Sequence, residues 1–162
     1  MHLREFRRLA VLLSTLLVVL FALTGCQEAQ FSEQMKDSIE SYASSQMLPA
    51  RDLGTTFAEL DFFGLTKVSQ SIYYVYGWCL MAEVDRELKV VSAASLPVKF
   101  TIQRQSFGYK VVDHEIPGSG TQYAADVKTL FPAKYQQRLF DYPKQQTNLE
   151  QRVLDKARAH YR

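Results

Sequence analysis

Residues Gln70–Val84 read QSIYYVYGWCLMAEV, and their alternation decides the fold. Ile72, Tyr74, Tyr76, Trp78, Leu80, Ala82 and Val84 share one face of an extended chain, and Tyr73, Val75, Cys79 and Met81 share the other. Two apolar faces predict a strand covered on both sides near its middle. Gly77 interrupts the run, and a glycine inside a strand marks a bulge or a bend.

The pattern extends in both directions from this strand. Upstream, FAELDFF (57–63) has the two-residue period of a short strand, and Gly64–Ser69 reads as a connection. Downstream, Asp85-Arg86 suits a hairpin. Leu88–Ala94 and Val98–Arg104 follow as strands, with Pro97 between them as an edge or a break. Val98, Phe100 and Ile102 alternate with Lys99, Thr101 and Gln103, which predicts one buried and one wet face. Gln105–Gly108 is a turn, Tyr109–Ile116 is the next strand, and Pro117-Gly118-Ser119-Gly120 breaks the chain.

Helical spacing flanks this β region. Ser32 is the N-cap of a helix over about 32–47, with Met35, Ile39, Tyr42 and Gln46/Met47 on one stripe and Pro49 beyond its end. Asp52-Leu53-Gly54 is a turn. Near the C-terminus, Tyr123, Val127 and Leu130/Phe131 share a face, and Pro132 opens a short helix carrying Tyr135 and Leu139. Thr147-x-x-Glu150 has the form of a capping box before a last stripe of Leu149, Val153, Ala157 and Tyr161. The expected class is α+β: an N-terminal helix packed on a curved antiparallel sheet, followed by C-terminal helices, as a single domain over 32–162.

The chain has 162 residues, of which 47% are hydrophobic and 22% charged, so a disordered or low-complexity protein is excluded. A net charge of +2 gives no ground for nucleic-acid binding. The apolar residues are unevenly spread. Arg4, Arg7 and Arg8 precede Leu9–Leu23, fifteen residues without a charge, and Thr24-Gly25-Cys26 follows. A basic start, an apolar run and small residues at its end form a secretory signal peptide. The run falls short of the roughly 20 residues that span a bilayer.

Leu23-Thr24-Gly25-Cys26 resembles the lipobox of bacterial lipoproteins, in register with the end of the apolar run. The resemblance covers residues 1–26. It implies that a signal peptidase recognises Leu23, Thr24 and Gly25 and cleaves residues 1–25. Cys26 then carries a diacylglycerol, often with an acyl chain such as palmitate on its amine. Two or more chains anchor a protein stably, at about 0.8 kcal/mol per buried CH₂. Localisation follows as a bacterial membrane, lipid-anchored, on the extracytoplasmic face. Gln27 is not the aspartate that resembles an inner-membrane retention signal, and either membrane of a double-membrane cell remains open. Cleavage leaves 137 residues with sixteen basic and sixteen acidic groups. Residues 26–31 form a tether, and its short reach holds the domain near the membrane.

A second stretch is similar to a small extracytoplasmic domain of bacterial lipoproteins and of the outer portions of BlaR-type sensors. It comprises Tyr74-Val75-Tyr76-Gly77-Trp78, Pro97-Val98-Lys99-Phe100, Tyr109-Lys110-Val111-Val112, Pro117–Tyr123 and Asp126-Val127-Lys128-x-x-Phe131-Pro132, within about 70–162. These motifs are structural. The zinc motif of those sensors is absent, so the resemblance implies no peptidase activity.

Catalytic spacing is sparse. Asp113-His114-Glu115 joins a histidine to carboxylates, but on a strand His114 points away from both acids. Cys79 lies in an apolar run with no neighbouring base, as a buried small hydrophobe does. No metal site or cofactor is expected beyond the lipid on Cys26. Gly118-Ser119-Gly120 lacks the spacing of a phosphate loop. Tyr74, Tyr76, Trp78 and Tyr123 are the candidate ligand or partner surface, with core packing as their ordinary alternative. Tyr135 and Tyr142 could line the same groove. The expected function is non-catalytic binding of an envelope protein partner. A small-molecule or peptide sensor is the alternative, and a hydrolase built on His114 a distant third.

Overall fold

The structure is a computed structural model that describes residues 30–49, 51–145 and 148–162. The leader, Cys26 and Thr147 lie outside the described residues. The element order is α1 (Glu33–Gln46), β1 (Thr55–Lys67), β2 (Ile72–Val84), β3 (Val90–Arg104), β4 (Tyr109–Glu115), α2 (Tyr123–Leu130), α3 (Ala133–Asp141) and α4 (Leu149–His160). The class is α+β. The four strands form one antiparallel sheet in the order β1-β2-β3-β4.

Strand β2 divides its side chains as its alternation predicts. Tyr73, Val75, Cys79 and Met81 pack with Met35, Ile39 and Ala43 of α1, together with Phe100 and Ile102 of β3. Tyr76 and Trp78 pack with Val127 of α2, Phe131, Leu139 of α3 and Tyr142. Ala82 and Val84 pack with Val153 and Ala157 of α4. Burying each such large side chain contributes about 1.5–3 kcal/mol. Helix α1 starts where Ser32 Oγ accepts from Met35 N–H at 3.3 Å, the expected cap. Ala43, rather than Tyr42, is the fully buried residue of its third turn.

Two expectations about strand limits are corrected. Strand β1 runs to Lys67, through the stretch read as a connection from Gly64. Its register shifts between Phe62 and Gly64, and the extra residue, Phe63, resets the alternation so that Leu65 again faces α1. The bulge thus lies in β1 opposite Gly77, not in β2. A side chain at Gly77 would meet Asp61 O at 2.6 Å, so the glycine serves a close approach. Strand β3 is continuous across Pro97. Strand β4 pairs only with Lys99–Arg104, so β3 has one neighbour at Pro97 and the missing N–H is tolerated. Helix α4 begins after Asn148, which makes no side-chain cap; the expected capping box rests on Thr147, outside the described residues.

Strand β1 is an edge, and charged side chains close it. Glu40 of α1 accepts from Leu60 N–H at 3.1 Å and pairs with Lys156 of α4 at 2.6 Å. Lys156 also pairs with Glu59 at 2.9 Å and donates to Ala58 O at 2.8 Å. Arg152 pairs with Glu59 at 3.1 Å and donates to Leu60 O at 3.4 Å. The outward backbone groups of Ala58 and Leu60 are therefore bonded to side chains from both helical layers. At one end of the sheet, Glu83 accepts from the N–H groups of Arg51, Leu53 and Gly54 at 2.8–3.0 Å, and these bonds lower its pKa. Tyr161 OH donates to Val84 O and accepts from Thr55 N–H.

Burial raises the pKa of Glu40, opposed by its bond to Lys156. Burial alone would lower the Lys156 pKa, but hydrogen bonds to Glu40 and Glu59 outweigh it and leave a net rise. The folded state thus holds the Lys156 proton more tightly than the unfolded chain. Its contribution is fully present below the ordinary lysine pKa and is lost as pH climbs through the raised value. Lys156→Met leaves two buried carboxylates without their shared cation. Removing a partner of a fully buried pair costs roughly 3–5 kcal/mol, and with Lys156 37% exposed the expected loss is about 2–3 kcal/mol. Urea unfolding should show that loss at pH 7 and a smaller difference from wild type once the pH passes the raised lysine value. Equal stability of the two chains at pH 7 would contradict the clasp.

Candidate functional site

Packing decides which aromatic residues remain available. Tyr76 is buried, with its ring 6.0 Å from Phe131 and 5.7 Å from Tyr135. Tyr135 in turn lies against Gly64, where an added side-chain carbon would overlap its hydroxyl. Tyr74 is covered by Lys99, whose Nζ sits 4.3 Å from the ring centre. Lys99 also pairs with Glu115 at 2.6 Å. These two tyrosines serve the core and its rim, under the C-terminal helices rather than under α1.

Trp78 is buried in the same cluster as Tyr76, but it and the half-buried Tyr123 also border open space. They line one cleft of about 610 Å³, with Ser95 and Pro97 of β3, Pro117, Phe140 and Tyr142 among the other walls. Trp78 is fixed by two contacts, one of them itself anchored. Its ring stacks on Tyr142 at 4.5 Å and 19°. Its Nε1–H donates to Ser95 Oγ at 2.8 Å. Tyr142 OH is anchored to Asp61 at 2.9 Å. Tyr123 opens α2 with its ring edge-on to Phe140 at 6.2 Å, and burial raises its pKa. The lip is the turn before α2, where Gly118 N–H donates to Asp126 Oδ2 at 2.8 Å and Gly120 takes a φ of +65°. A carboxylate on that amide disfavours an anion there, so the turn is no phosphate cradle.

The cleft adjoins an unpaired backbone. Arg104 N–H donates to Ser71 O at 2.7 Å, so Arg104 faces the β2 side. Pairing with β2 is uninterrupted from Ser92 to Gln103. Alternation then turns the N–H and C=O groups of Ala93 and Ser95 away from β2. Strand β4 stops short of them at Lys99, and among the described residues neither N–H has a β-partner. Both residues are exposed. An apolar hollow beside a free strand edge can accept an extended segment, with backbone bonds along β3 and a side chain in the hollow.

The catalytic candidates fall apart. His114 shares a 2.9 Å hydrogen bond with Tyr42 of α1, while Glu115 turns to Lys99 and Asp113 accepts from the His114 backbone N–H. The three residues form no joint site. Cys79 is fully buried and free, and burial pushes its thiol up to about 12. Among the described residues no three His, Cys, Asp or Glu side chains are grouped to hold a metal ion. Among them, too, no helix is long and apolar enough to cross a membrane. No protein-family model, curated protein or solved structure matches the chain.

Sequence reasoning reached Trp78, Tyr123 and Tyr142 but passed over Phe140, Ser95 and the free edge of β3. Pro97 was legible as an edge or a break and Pro117 as a break; both wall the cleft. Cys79 provides a direct check of the packing. In the folded chain it should resist iodoacetamide at pH 8 and react fully in 6 M guanidinium, because only the exposed thiolate is nucleophilic. Alkylation at a similar rate in both states would place Cys79 at the surface.

Proposed function

We propose that this chain is a lipid-anchored, non-catalytic binding protein of the bacterial cell envelope, held by acyl chains on Cys26. In that reading the mature domain begins with its tether, lays α1 on a curved sheet, and ends in the C-terminal helices. The bound component is an envelope protein that offers an extended segment to the edge of β3, with an apolar side chain between Trp78 and Tyr123. The observation that carries the binding role is the aromatic cleft lined by Ser95, on the stretch of β3 that strand β4 leaves unpaired. The lipobox residues Leu23, Thr24, Gly25 and Cys26 support the location. The similarity of 70–162 to sensor outer portions involves Trp78, Pro97, Pro117 and Tyr123, all of which line the same cleft. A small apolar ligand in it is the second reading, favoured by a volume within the range of ligand pockets.

In-cell crosslinking separates these readings. Wild type should capture one dominant envelope protein, and Cys26→Ala should lose it. Ala93→Pro removes an outward N–H without touching the ladder to β2. It should abolish capture while shifting Tm by no more than about 4 °C, equivalent to less than about 1 kcal/mol. His114→Ala should capture normally. Capture unaffected by Ala93→Pro would rule out strand addition. Absence of a dominant partner, with a ligand-dependent rise in Tm, would establish the small-molecule reading instead.

A further inference from the structure

Two turns meet at one end of the sheet. Antiparallel order puts the β1–β2 turn (68–71) and the β3–β4 turn (105–108) together, and the bond from Arg104 N–H to Ser71 O joins them. The chain also enters the domain at this end. Ser38 of α1 donates to Tyr109 O at 2.9 Å, and Gln34 and Asp37 line a shallow hollow with residues 104–109. Phe31 stacks on Phe62 at 4.1 Å and 8°, which fixes the segment before α1.

That entry point sets a distance. Phe31 lies five positions after Cys26, a reach of at most about 18 Å. Phe31 packs on Phe62, five residues from the turn end of β1 and seven from its other end, or about 17 Å and 23 Å along the strand. The start of α1 lies against the β3–β4 hairpin, so an anchor on Cys26 favours the end with the two turns over the opposite end. These turns carry exposed apolar side chains: among the described residues Phe107 is 98% exposed and Val68 49%. The hairpin is ordered, with Gln105 N–H donating to Gly108 O at 3.0 Å and Gly108 at a φ of +85°, so Phe107 is held outward. Exposed Lys67, Arg104 and Lys110 surround the tips, with Glu33 and Asp37 on α1 as nearby acids. The charges nearly balance, and the apolar tips supply the contact. An aromatic ring flanked by basic residues suits the headgroup layer, where ring and charges are both accommodated.

We propose that this end is a membrane-docking surface, with Phe107 and Val68 inserted in the bilayer interface, so that the domain stands upright on its anchor. The proposal rests on the lipid-anchored reading. It presents the edge of β3 sideways to partners rather than toward the lipid.

The test uses the full-length lipidated chain in vesicles of phosphatidylethanolamine and phosphatidylglycerol, with brominated-acyl phosphatidylcholine as quencher. Phe107→Trp probes the docking end. Leu53→Trp, at a position 62% exposed at the opposite end, is the control, and wild type supplies the Trp78 baseline. Both sites are surface turns, so both variants fold. Phe107→Trp should lose about half its added emission to the brominated lipid and shift to the blue, while Leu53→Trp should not change. Flotation reports the anchor separately. A chain that floats with its Phe107→Trp signal unquenched would overturn the docking surface and leave the anchor standing. A chain that does not float would overturn the anchor, and the docking surface with it.

Discussion

The ammonium group of Lys156 holds together three parts of the molecule that are remote in sequence. It joins α4 to Glu40 of α1 and to Glu59 and Ala58 of β1. The helices lie on opposite faces of the sheet, so the connection passes around the exposed edge of β1. An open edge strand is a template for another strand. Here its outward N–H and C=O groups at Ala58 and Leu60 are bonded to Lys156, Glu40 and Arg152. A hydrophobic residue at 156 would cover area but leave Ala58 C=O and the two carboxylates without that partner. Each buried carboxylate would be costly alone; together with two cations they form a network whose backbone bonds specify one register.

The closed edge gives the open one its meaning. A sheet of four strands has two edges, and in this chain one is sealed by charge. The other is split, because β4 has seven residues and β3 has fifteen. Part of β3 is paired and part is bare. Beside the bare part, Trp78 is locked by Ser95 and Tyr142, and Tyr142 is locked by Asp61. The aromatic wall is therefore preformed, which lowers the ordering cost of binding. Pro97 on the bare edge limits how far a strand can extend along it, and confines backbone bonding to Ser95 and Ala93.

Strand identity and the two-faced core were legible from the alternation of Gln70–Val84, and α1 from its stripe and Ser32 cap. The bulge at Phe63 was not, because inserting one residue breaks the two-residue period that defines a strand. The continuity of β3 through Pro97 was hidden for a related reason: proline reads as a break unless β4 is known to stop at Lys99. Of the aromatic row, Tyr76 and Trp78 are both core residues on the same face of β2, and only Trp78 also borders the cleft. Only the placement of α2 and α3 separates them. The charged clasp left no local signal at all. Glu40 sits next to the apolar stripe of α1, Glu59 on the face of β1 that carries Phe57 and Phe63, and their partner lies 116 residues beyond Glu40.

One contrast carries the account: a sealed edge on β1 and a free edge on β3. Native-state hydrogen exchange reads both edges in one experiment, since each amide reports its own bonding. The Leu60 amide, bonded to Glu40 under both helices, should exchange on the slow timescale of the β2 core amides. The Ala93 and Ser95 amides should exchange rapidly, as free groups do. Rapid exchange at Leu60 would show that the clasp does not close β1, and strong protection at both Ala93 and Ser95 would show that the edge of β3 is already occupied.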